Sequence, residues 1–559
     1  MTKKDVIRTL DGLRDLLLLQ GADEFRVRSY QRAVNTLRGL ADDINDIDPT
    51  SLPGIGKSLA ATIGEILATG TCALREELLA EIPPGLVELL QVPDLGPKTA
   101  RRLWMELGVE SVEAAEQAAR EQRLRPLKGF GAKTEENLLA NIERWRAGRG
   151  RVPRIMALMQ AEPLLAAVRA AVGVEDACLA GSLRRGRDTS KDLDVLACAD
   201  DSGPAIAAFC GHESVAEVAL AGDTKATVRL ASGMNADLRV VPRASWGAAL
   251  QYFTGSQAHN VAVRSRAREL GLTVNEYGVR RLDNDELVAG ADEAGVYAAL
   301  GLPWIPPELR EDRGEVAGPL PELIELADIR GDLHCHTTWS DGVCTIAEMA
   351  AAARDRGYDY LAVTDHSKAL AIANGLDEAR LRAQREEIRR AQDSVPEVRL
   401  LAGIEVDIMA DGSLDLDLDA LAELDIVVAS VHSAMSQDAA TMTDRMVAAI
   451  SSGVVHILGH PSGRLLGRRP GYEYDADAVI DACLTHGVAL ELNSAPERLD
   501  IDDELARQAV RRGVRIAIDT DAHSTDQLGN IHFGVTQARR GWVGASAVVN
   551  AQAGTPNVR

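Results

Sequence analysis

The stretch Gly181-Ser182-Leu183-Arg184-Arg185-Gly186, followed shortly by Asp192-Leu193-Asp194-Val195-Leu196, decides the fold of the central part of this chain. It joins a Gly-Ser turn and two arginines to an apolar strand. Side chains two residues apart on a strand point the same way, so Asp192 and Asp194 share one face and can hold hard cations. The turn offers backbone N–H groups to a phosphate. The pattern therefore predicts a phosphate cradle one loop away from a metal platform.

A third carboxylate, Asp237, begins the next matching strand, Asp237-Leu238-Arg239-Val240-Val241. Three converging oxygen donors suffice for a pair of Mg²⁺ ions about 3.5–4 Å apart, which drives in-line phosphoryl transfer. An isolated Asp-x-Asp is more often an ordinary solvated strand end. The Gly-Ser turn and the arginine pair just upstream favour the metal site.

Length and composition narrow the class of protein. With 559 residues, the chain predicts three to five domains. It lacks an apolar run near the roughly 18 residues of a membrane span, and its start indicates an amphipathic helix, so we expect a cytoplasmic protein. Seven scattered cysteines suit a reducing compartment. Of the formal charge of −23, −14 falls in residues 331–559, so the total argues neither for nor against nucleic-acid binding.

Three glycine-containing turns recur at intervals of about forty residues in the first part of the chain. They are Leu52-Pro53-Gly54-Ile55-Gly56-Lys57, Val92-Pro93-Asp94-Leu95-Gly96-Pro97-Lys98 and Leu127-Lys128-Gly129-Phe130-Gly131-Ala132-Lys133. Each leads into a helix start, whose free N–H groups and dipole favour a phosphate, and glycine permits close approach. One copy could be a packing connection. Three copies with a lysine beyond the turn favour binding of a DNA backbone, with Gly54, Gly56, Lys57, Gly96, Lys98, Gly131 and Lys133 as the predicted contacts.

Nine of the eleven histidines lie between residues 334 and 532, several at the ends of short apolar strands. A strand, a polar residue and a helical stretch alternate about seven times, which is typical of a (β/α) barrel with its site on the carboxyl rim. In His334-Cys335-His336 both imidazoles point to one side of a strand. Mixed imidazole and carboxylate groups suit Mn²⁺, Zn²⁺ or Fe. We interpret His212, His456, His486 and His532 as ordinary structural or surface residues.

The central motif resembles the palm of family X DNA polymerases, the nucleotidyltransferases of gap repair. Tyr252-Phe253-Thr254-Gly255-Ser256 is similar to that family's motif beside the incoming nucleotide. The resemblance implies a catalytic, metal-binding triad of Asp192, Asp194 and Asp237, with Asp237 drawing the proton from the primer 3′-hydroxyl. It also implies nucleotide binding by Gly181, Ser182, Arg185, Tyr252, Phe253, Gly255, Asn260 and Arg264.

Two positions depart from that family's pattern. Asn235 stands where better-known relatives carry arginine, and Thr62 stands where repair members carry the lysine that forms a Schiff base with an abasic sugar. A hydroxyl cannot replace an amine in that chemistry. Arg26 and Tyr30 match the family's pocket for the 5′-phosphate of a gap, so the resemblance implies DNA contact there.

The last third resembles a PHP (polymerase and histidinol phosphatase) domain, and all nine positions of that domain's trinuclear metal site are occupied. They are His334, His336, Asp341, His366, Glu405, His432, His460, Asp521 and His523. The likeness implies a cluster of about three Mn²⁺ or Zn²⁺ ions that activates water for phosphoester hydrolysis, with Glu405 as a bridging ligand. Arg464 and Asn493 are candidates for a phosphate contact.

Together these patterns predict a multidomain α and α/β protein: helical helix-hairpin-helix domains, an α/β nucleotidyltransferase palm with a thumb, and a (β/α)7-like PHP barrel. The expected division is 1–80 for DNA ends, 81–150 for fingers, 151–245 for the palm, 246–313 for the thumb, 314–327 for a linker and 328–559 for the barrel. The leading hypothesis is a monomeric gap-filling DNA polymerase of DNA repair that uses gapped or nicked DNA, dNTPs and Mg²⁺ or Mn²⁺, with 3′-5′ exonuclease activity in the barrel. The alternatives are a PHP phosphatase or nuclease with a vestigial palm, and a DNA-end scaffold.

Overall fold

A computed structural model describes residues 3–38, 44, 47–52, 54–90, 92, 95–127, 129–148 and 150–552. The chain divides between residues 149 and 150 into two compact units. Four residues of the predicted hairpins, Pro53, Pro93, Asp94 and Lys128, lie outside the described residues. Within the described part, every helix is too short or too polar to cross a lipid bilayer.

The described residues of the first unit are almost entirely helical. Its helices are α1 (Lys3–Gln20), α2 (Glu24–Arg38), α3 (Lys57–Thr69), α4 (Ala73–Glu81), α5 (Pro84–Leu89), α6 (Pro97–Leu107), α7 (Val112–Arg120) and α8 (Ala132–Gly148). In α1, Leu10, Leu13 and Leu17 recur at helical spacing and are fully buried. They face α2 and α6, so α1 is the central helix of this unit.

The glycine turns lead into helices as the sequence predicts. Gly56 and Gly96 directly precede the first residues of α3 and α6. Gly54 and Gly129 adopt positive φ angles of 77° and 86°, which favour glycine. Because a glycine cap has no side chain to satisfy the N–H groups of the first helical turn, these groups remain available to a ligand.

The second unit begins with an α/β layer around a five-stranded sheet. Its elements are β1 (Val152–Pro153), α9 (Arg154–Arg169), β2 (Asp176–Leu179), α10 (Gly181–Arg184), β3 (Thr189–Ser190), β4 (Asp192–Cys198), α11 (Gly203–Cys210), β5 (Val215–Ala221), β6 (Lys225–Leu230) and β7 (Asn235–Val241). The strand order is β2-β4-β7-β6-β5, and β4 pairs with β7 in parallel. Leu193 and Val195 point to the core beneath α9 and α11, so the alternate positions of β4 face outward.

A smaller layer follows, which has the predicted thumb's position in the chain. It contains α12 (Trp246–Thr254), α13 (Gln257–Glu269), β8 (Leu272–Asn275), β9 (Gly278–Arg281), β10 (Leu287–Ala289) and α14 (Glu293–Ala299). The strands form an antiparallel sheet in the order β10-β9-β8. Val263, Val279 and Tyr297 are fully buried between this sheet and the helices.

The last part of the second unit is a seven-stranded parallel sheet in which each strand neighbours the next in the chain. Its elements are β11 (Gly331–Asp332), α15 (Ile346–Asp355), β12 (Tyr360–Val363), α16 (Glu378–Gln392), β13 (Arg399–Asp407), α17 (Leu418–Ala422), β14 (Ile426–Ser430), α18 (Ala439–Ile450), β15 (Ile457–Leu458), α19 (Ala476–His486), β16 (Ala489–Asn493), α20 (Asp503–Arg511), β17 (Ile516–Asp519) and α21 (Ile531–Arg540). A parallel bridge from Cys335 to Ala522 brings the first and last strand ends together. The predicted (β/α)7-like barrel is confirmed.

The proline-containing segment 314–327 is packed into the second unit. Leu323 lies in the apolar cluster of the thumb layer, and the next residue, Ile324, lies in the barrel core. The backbone N–H of Ile324 donates to the carbonyl of Val543 at 3.0 Å. The segment that the sequence predicts as a linker therefore fills the space between the thumb layer and the barrel.

Candidate active sites

The pairing of strands β4 and β7 brings together the three predicted catalytic carboxylates of the palm sheet. Asp194 on β4 pairs with Asp237 on β7, and Asp192 pairs with Asn235. Paired residues of parallel strands point to the same face, so all three carboxylates lie on one side of the sheet. The hydroxyl of Thr227 on β6 donates to Asp237 Oδ1 at 2.5 Å, which fixes that carboxylate.

Asp194 lies where its surroundings disfavour its charge. Burial, reinforced by the like charges of Asp192 and Asp237, raises the pKa of Asp194 to about 6. A Cβ atom on Gly181 would lie 1.9 Å from Asp194 Oδ2, so only glycine permits this approach of the turn. The sheet therefore concentrates negative charge directly beneath the Gly-Ser turn, and a cation bound there would relieve it.

A cleft of about 800 Å³ opens over this face of the sheet. All eight residues that the sequence predicts as nucleotide-binding line it together with Asp192 and Asp194: Gly181, Ser182, Arg185, Tyr252, Phe253, Gly255, Asn260 and Arg264. Asp237 lines a smaller cavity of about 140 Å³ that shares Asp194 and Phe253 with the cleft. Sequence reasoning did not assign five further lining residues to the site: Arg151, Arg187, Lys191, Gln257 and Glu311.

The two arginines of the central motif have different surroundings. Arg184 donates to both oxygens of Glu293 at 2.8 and 2.9 Å, and this carboxylate also accepts from the fully buried Arg310 at 2.7 Å. Burial alone would raise the pKa of Glu293, but the two arginines lower it to about 2. Arg185 instead lines the cleft, where its Nε donates to Glu311 Oε1 at 3.1 Å. Arg184 is thus held by Glu293, and Arg185 is the arginine of the pair that lines the cleft.

The remaining cleft residues are held by short contacts. Asn260 donates to the carbonyl of Tyr252 at 2.8 Å and accepts from Gln251 at 2.8 Å. The rings of Tyr252 and Phe253 meet edge to face with centroids 5.2 Å apart. These contacts fix the wall formed by α12 and α13 against the carboxylate face.

The nine residues that the sequence predicts as metal ligands meet at the carboxyl rim of the barrel. Their candidate ligand atoms form groups in which all atoms lie within 4.8 Å of one another. The groups are His336, Asp341, His366 and His523; His334, His336 and Asp521; and His366, Glu405 and His432. His460 joins them because its Nε2 lies 2.9 Å from Glu405 Oε1. Among the described residues, groups this tight occur only here, and the palm carboxylates are more widely spaced.

Glu405 occupies the centre of this cluster and is almost fully buried. Its Oε2 lies 2.7 Å from His366 Nδ1 and 3.6 Å from His334 Nε2, and its Oε1 lies 3.3 Å from His432 Nε2. Burial opposes ionisation, but the surrounding imidazoles hold the pKa of Glu405 well below its usual range. The geometry is compatible with the bridging position that the resemblance to PHP domains implies.

The cluster also contains six buried ring nitrogens without a hydrogen-bond partner in the described structure. They are Nε2 of His334, both nitrogens of His336, and Nδ1 of His366, His432 and His460. Burying an unsatisfied polar atom is unfavourable, and an imidazole nitrogen facing carboxylates is a typical metal ligand. Burial, together with the neighbouring His523 and His366, lowers the pKa of His336 to about 3, so this ring is neutral and able to ligate. The residues fit a cluster of metal ions.

Two acidic residues that sequence reasoning missed orient these ligands. Glu491 on β16 accepts from His334 Nδ1 at 2.5 Å and from the backbone N–H of His460 at 2.5 Å. Asp407 lies 3.3 Å from His432 Nδ1. Such outer carboxylates fix the ring orientation and raise ligand basicity. Their position near strand ends is the only signal that the sequence offered.

The two candidate phosphate contacts have other partners. Arg464 donates to the backbone carbonyls of Arg498 and Leu499 and pairs with Asp188 at 3.0 Å. Asn493 donates to Asp521 Oδ2 at 3.1 Å, so it holds a predicted ligand. The guanidinium of Arg498 lies 3.7 Å from Asp521 Oδ2, at the edge of the cluster. Arg498 is therefore the cation that sequence reasoning overlooked.

Three of the histidines set aside from the sequence have local partners. His212 shares a hydrogen bond with Ser214, His456 accepts from the backbone of Val427, and His532 bonds to the carbonyl of Gly529. None of the three belongs to the tight groups of the described residues. The predicted ligands are therefore grouped in the structure separately from these three histidines.

In the first unit the predicted DNA contacts are mostly exposed. Lys57, Lys98 and Lys133 follow their glycine turns at or near the surface, and Arg26 is exposed on α2. Tyr30 is different, because only 7% of its surface is accessible and it packs in the helical core. Burial raises the pKa of Tyr30, although a hydrogen bond with Thr62 opposes this.

Comparison with known proteins covers nearly the whole chain. Family models match residues 1–72 as a helix-hairpin-helix domain, 86–144 as a SAM-like helix-hairpin-helix tandem, 249–311 as a DNA polymerase beta thumb and 332–495 as a PHP domain. The probable phosphatase YcdX of Escherichia coli (strain K12) is 32% identical over 208 residues, which are 35% of this chain and 80% of that protein. YcdX of Shigella dysenteriae serotype 1 is equally similar over 210 residues.

One relative aligns from end to end. The DNA polymerase/3'-5' exonuclease PolX of Bacillus subtilis (strain 168) is 39% identical over 557 residues, which are 99% of this chain and 98% of that protein. The alignment spans the hairpins, the palm sheet with its cleft, the thumb and the histidine-lined barrel. The chain therefore belongs to the PolX family of DNA polymerases with a 3'-5' exonuclease.

Proposed function

We propose that this protein fills gaps in DNA during repair, adding nucleotides in the palm cleft and removing 3′ nucleotides or phosphoester groups in the barrel. The observation that carries the proposal is the parallel pairing of Asp194 with Asp237 beneath a cleft lined by every predicted nucleotide-binding residue. The substrates are gapped or nicked DNA and dNTPs, bound by a monomer. The proposed domain boundaries are those expected from the sequence.

In the palm, Asp192, Asp194 and Asp237 would hold Mg²⁺ or Mn²⁺, which supplies charge stabilisation for in-line phosphoryl transfer. The chain itself supplies orientation. Arg185 and the N–H groups of the Gly181 turn face the cleft and would bind the triphosphate. Thr227 holds Asp237 Oδ1, which leaves the second oxygen of that carboxylate free to accept the proton of the primer 3′-hydroxyl.

In the barrel, the nine clustered residues would hold about three Mn²⁺ or Zn²⁺ ions, which acidify bound water for phosphoester hydrolysis. The outer carboxylates Glu491 and Asp407 keep the rings of His334 and His432 oriented toward the cluster. Arg498 beside Asp521 is the cation best placed to attract a phosphate to this rim.

The first unit would bind the DNA backbone without reading sequence. Uncapped helix starts behind Gly56 and Gly96, with Lys57 and Lys98 beside them, suit phosphate groups. Thr62 forms a hydrogen bond with Tyr30, and its hydroxyl provides no amine for abasic-sugar chemistry.

The proposal is tested by separating the two activities with single substitutions. On a gapped duplex with dNTPs and Mg²⁺ or Mn²⁺, Asp192→Ala should abolish extension and leave 3′ nucleotide release intact, and His334→Ala should do the reverse. Asp200→Asn, an exposed carboxylate just beyond β4, is the matched control and should change neither.

The similarity to YcdX favours a second candidate, a phosphatase or nuclease whose palm is inactive. It predicts that His334→Ala removes all activity and that the wild-type protein never extends a primer. A protein that binds gapped DNA but releases and adds nothing would instead be a DNA-end scaffold. Either result would overturn the proposed function.

A further inference from the structure

The nucleotide-binding turn of the palm packs directly on the last helix of the barrel. A Cβ on Gly186 would lie 2.3 Å from Thr536 Cγ2 of α21, so the turn and the helix are in contact. Arg154 connects them, since it donates to the carbonyl of Gly186 at 2.8 Å and to the carbonyl of Phe533 at 3.1 Å. The back of the polymerase cleft is therefore built partly from the barrel.

Arg540, the last residue of α21, is the deepest of these contacts, with 1% of its surface exposed. Its Nη1 donates to the backbone carbonyl of Arg185 at 2.8 Å and to Glu311 Oε1 at 3.1 Å. Its Nη2 donates to Asp503 Oδ2 of the barrel at 2.8 Å. One guanidinium thus spans the barrel and the residue predicted to bind the triphosphate.

Glu311, which accepts from Arg540, also lines the cleft. The same oxygen that accepts from Arg540 also accepts from Arg185 Nε at 3.1 Å and lies 3.7 Å from Arg187. Burial would raise the pKa of Glu311, but Arg540 and Arg185 lower it, so this carboxylate is charged. An anion facing a triphosphate site is unfavourable unless a neighbouring cation compensates it.

We propose that Arg540 of the barrel is a positioning residue for the polymerase cleft, which it serves by neutralising Glu311 and by fixing the backbone and side chain of Arg185. The inference deepens the proposed function, because it rests on nucleotide addition in that cleft. It means that the barrel contributes to dNTP binding as well as to hydrolysis.

The mechanism predicts a specific kinetic signature. Without Arg540, Glu311 keeps its charge, and the backbone carbonyl of Arg185 loses the hydrogen bond that fixes it. The cleft therefore binds the triphosphate more weakly. Loss of binding that is common to the ground state and the transition state raises KM and leaves kcat unchanged. Removing the charged hydrogen bonds that Arg540 donates to Arg185 and Glu311 should raise the KM for dNTP by about tenfold.

The experiment compares full-length variants on a gapped duplex under steady-state conditions. Arg540→Met should raise the KM for dNTP about tenfold with kcat within about twofold, and its release of 3′ nucleotides should equal that of the wild type. Arg540→Lys keeps the charge but not the planar set of donors, so its KM for dNTP should lie between those of the wild type and Arg540→Met. The matched control is Arg539→Met: Arg539 is adjacent on α21 but bonds to Glu308 and to the carbonyl of Ile324, away from the cleft.

Unchanged KM in Arg540→Met overturns the inference, as does an equal rise in Arg539→Met or a failure of the lysine to rescue. If Arg540→Met loses both activities together, Arg540 acts on folding. In that case the inference is wrong unless soluble Arg540→Lys shows the smaller rise in KM with normal release of 3′ nucleotides. A wild-type protein that never incorporates dNTPs refutes the proposed function itself, which is a different result from a normal KM in the variant.

Discussion

Replacing Asp194 by asparagine should stabilise the metal-free protein while removing its polymerase activity. Asp194 is held in a largely buried position beside Asp192 and Asp237, and its pKa is raised from 3.8 to about 6. The charged form is therefore disfavoured in the folded chain. Asparagine has the same shape without the charge, so it escapes this penalty while it loses the capacity to hold a cation.

The magnitude follows from the pKa. A difference of one in pKa corresponds to about 1.4 kcal/mol. A carboxyl with a pKa near 6 instead of 3.8 therefore destabilises the folded state by about 3 kcal/mol at pH 7. Because the pKa of this carboxyl is raised, the folded protein binds the proton more tightly than the unfolded chain does. The destabilisation is complete above pH 6 and disappears as pH falls toward 3.8, so the advantage of the Asp194→Asn variant should shrink to about 1.5 kcal/mol at pH 5.

Hydrogen exchange read by mass spectrometry is the suitable assay, because a chain with several domains does not unfold in one step. Peptides that cover β4 and β7 should exchange more slowly in Asp194→Asn than in wild type at pH 7 in EDTA. Adding Mg²⁺ should protect these peptides in wild type only. Asp200→Asn should leave exchange within about 0.5 kcal/mol of wild type. Equal or faster exchange in Asp194→Asn at pH 7, or a gain that does not shrink at pH 5, would refute the reasoning.

Three further predictions test other parts of the structure. Glu491→Gln weakens the support of His334 and should lower the affinity of the barrel for Zn²⁺ or Mn²⁺ by about 10–100-fold in a metal-binding titration, with an unchanged fold by circular dichroism. Gly181→Ala places a methyl group 1.9 Å from Asp194 Oδ2 and should abolish primer extension but not 3′ nucleotide release. Lys98→Ala should weaken binding of every DNA sequence equally and reduce the slope of log K against log salt by about 1, measured by fluorescence anisotropy.

The parts of both sites that depend on strand periodicity could be predicted from the sequence. Asp192 and Asp194 share a face because side chains alternate, and the next matching strand brings Asp237 beside them. The predicted barrel ligands converge because parallel strands end at one rim, so residues as distant in sequence as His334 and Asp521 come within 3.7 Å. In each case a local rule fixes the direction of the side chain, and the sheet fixes its position.

The parts that depend on how layers pack could not be predicted. Arg464 follows His460 closely, which suggested a phosphate contact, yet its guanidinium satisfies backbone carbonyls and Asp188. Tyr30 matches a ligand-pocket position but packs in the core of the first unit. Glu491 gave no motif, because an outer carboxylate is recognised only once the ring that it orients is placed.

Two buried arginines of the second unit, Arg310 and Arg540, hold the walls of the palm cleft in this acidic chain. Arg310 donates to the carbonyl of Ile305 and to Glu293, and Arg540 donates to the carbonyl of Arg185 and to Glu311. Each guanidinium thus satisfies a backbone carbonyl and a carboxylate at once, which one planar group with five donors can do. Because removing either arginine would take a counter-charge from a buried carboxylate, these few cations fix the cleft walls more firmly than surface ion pairs could.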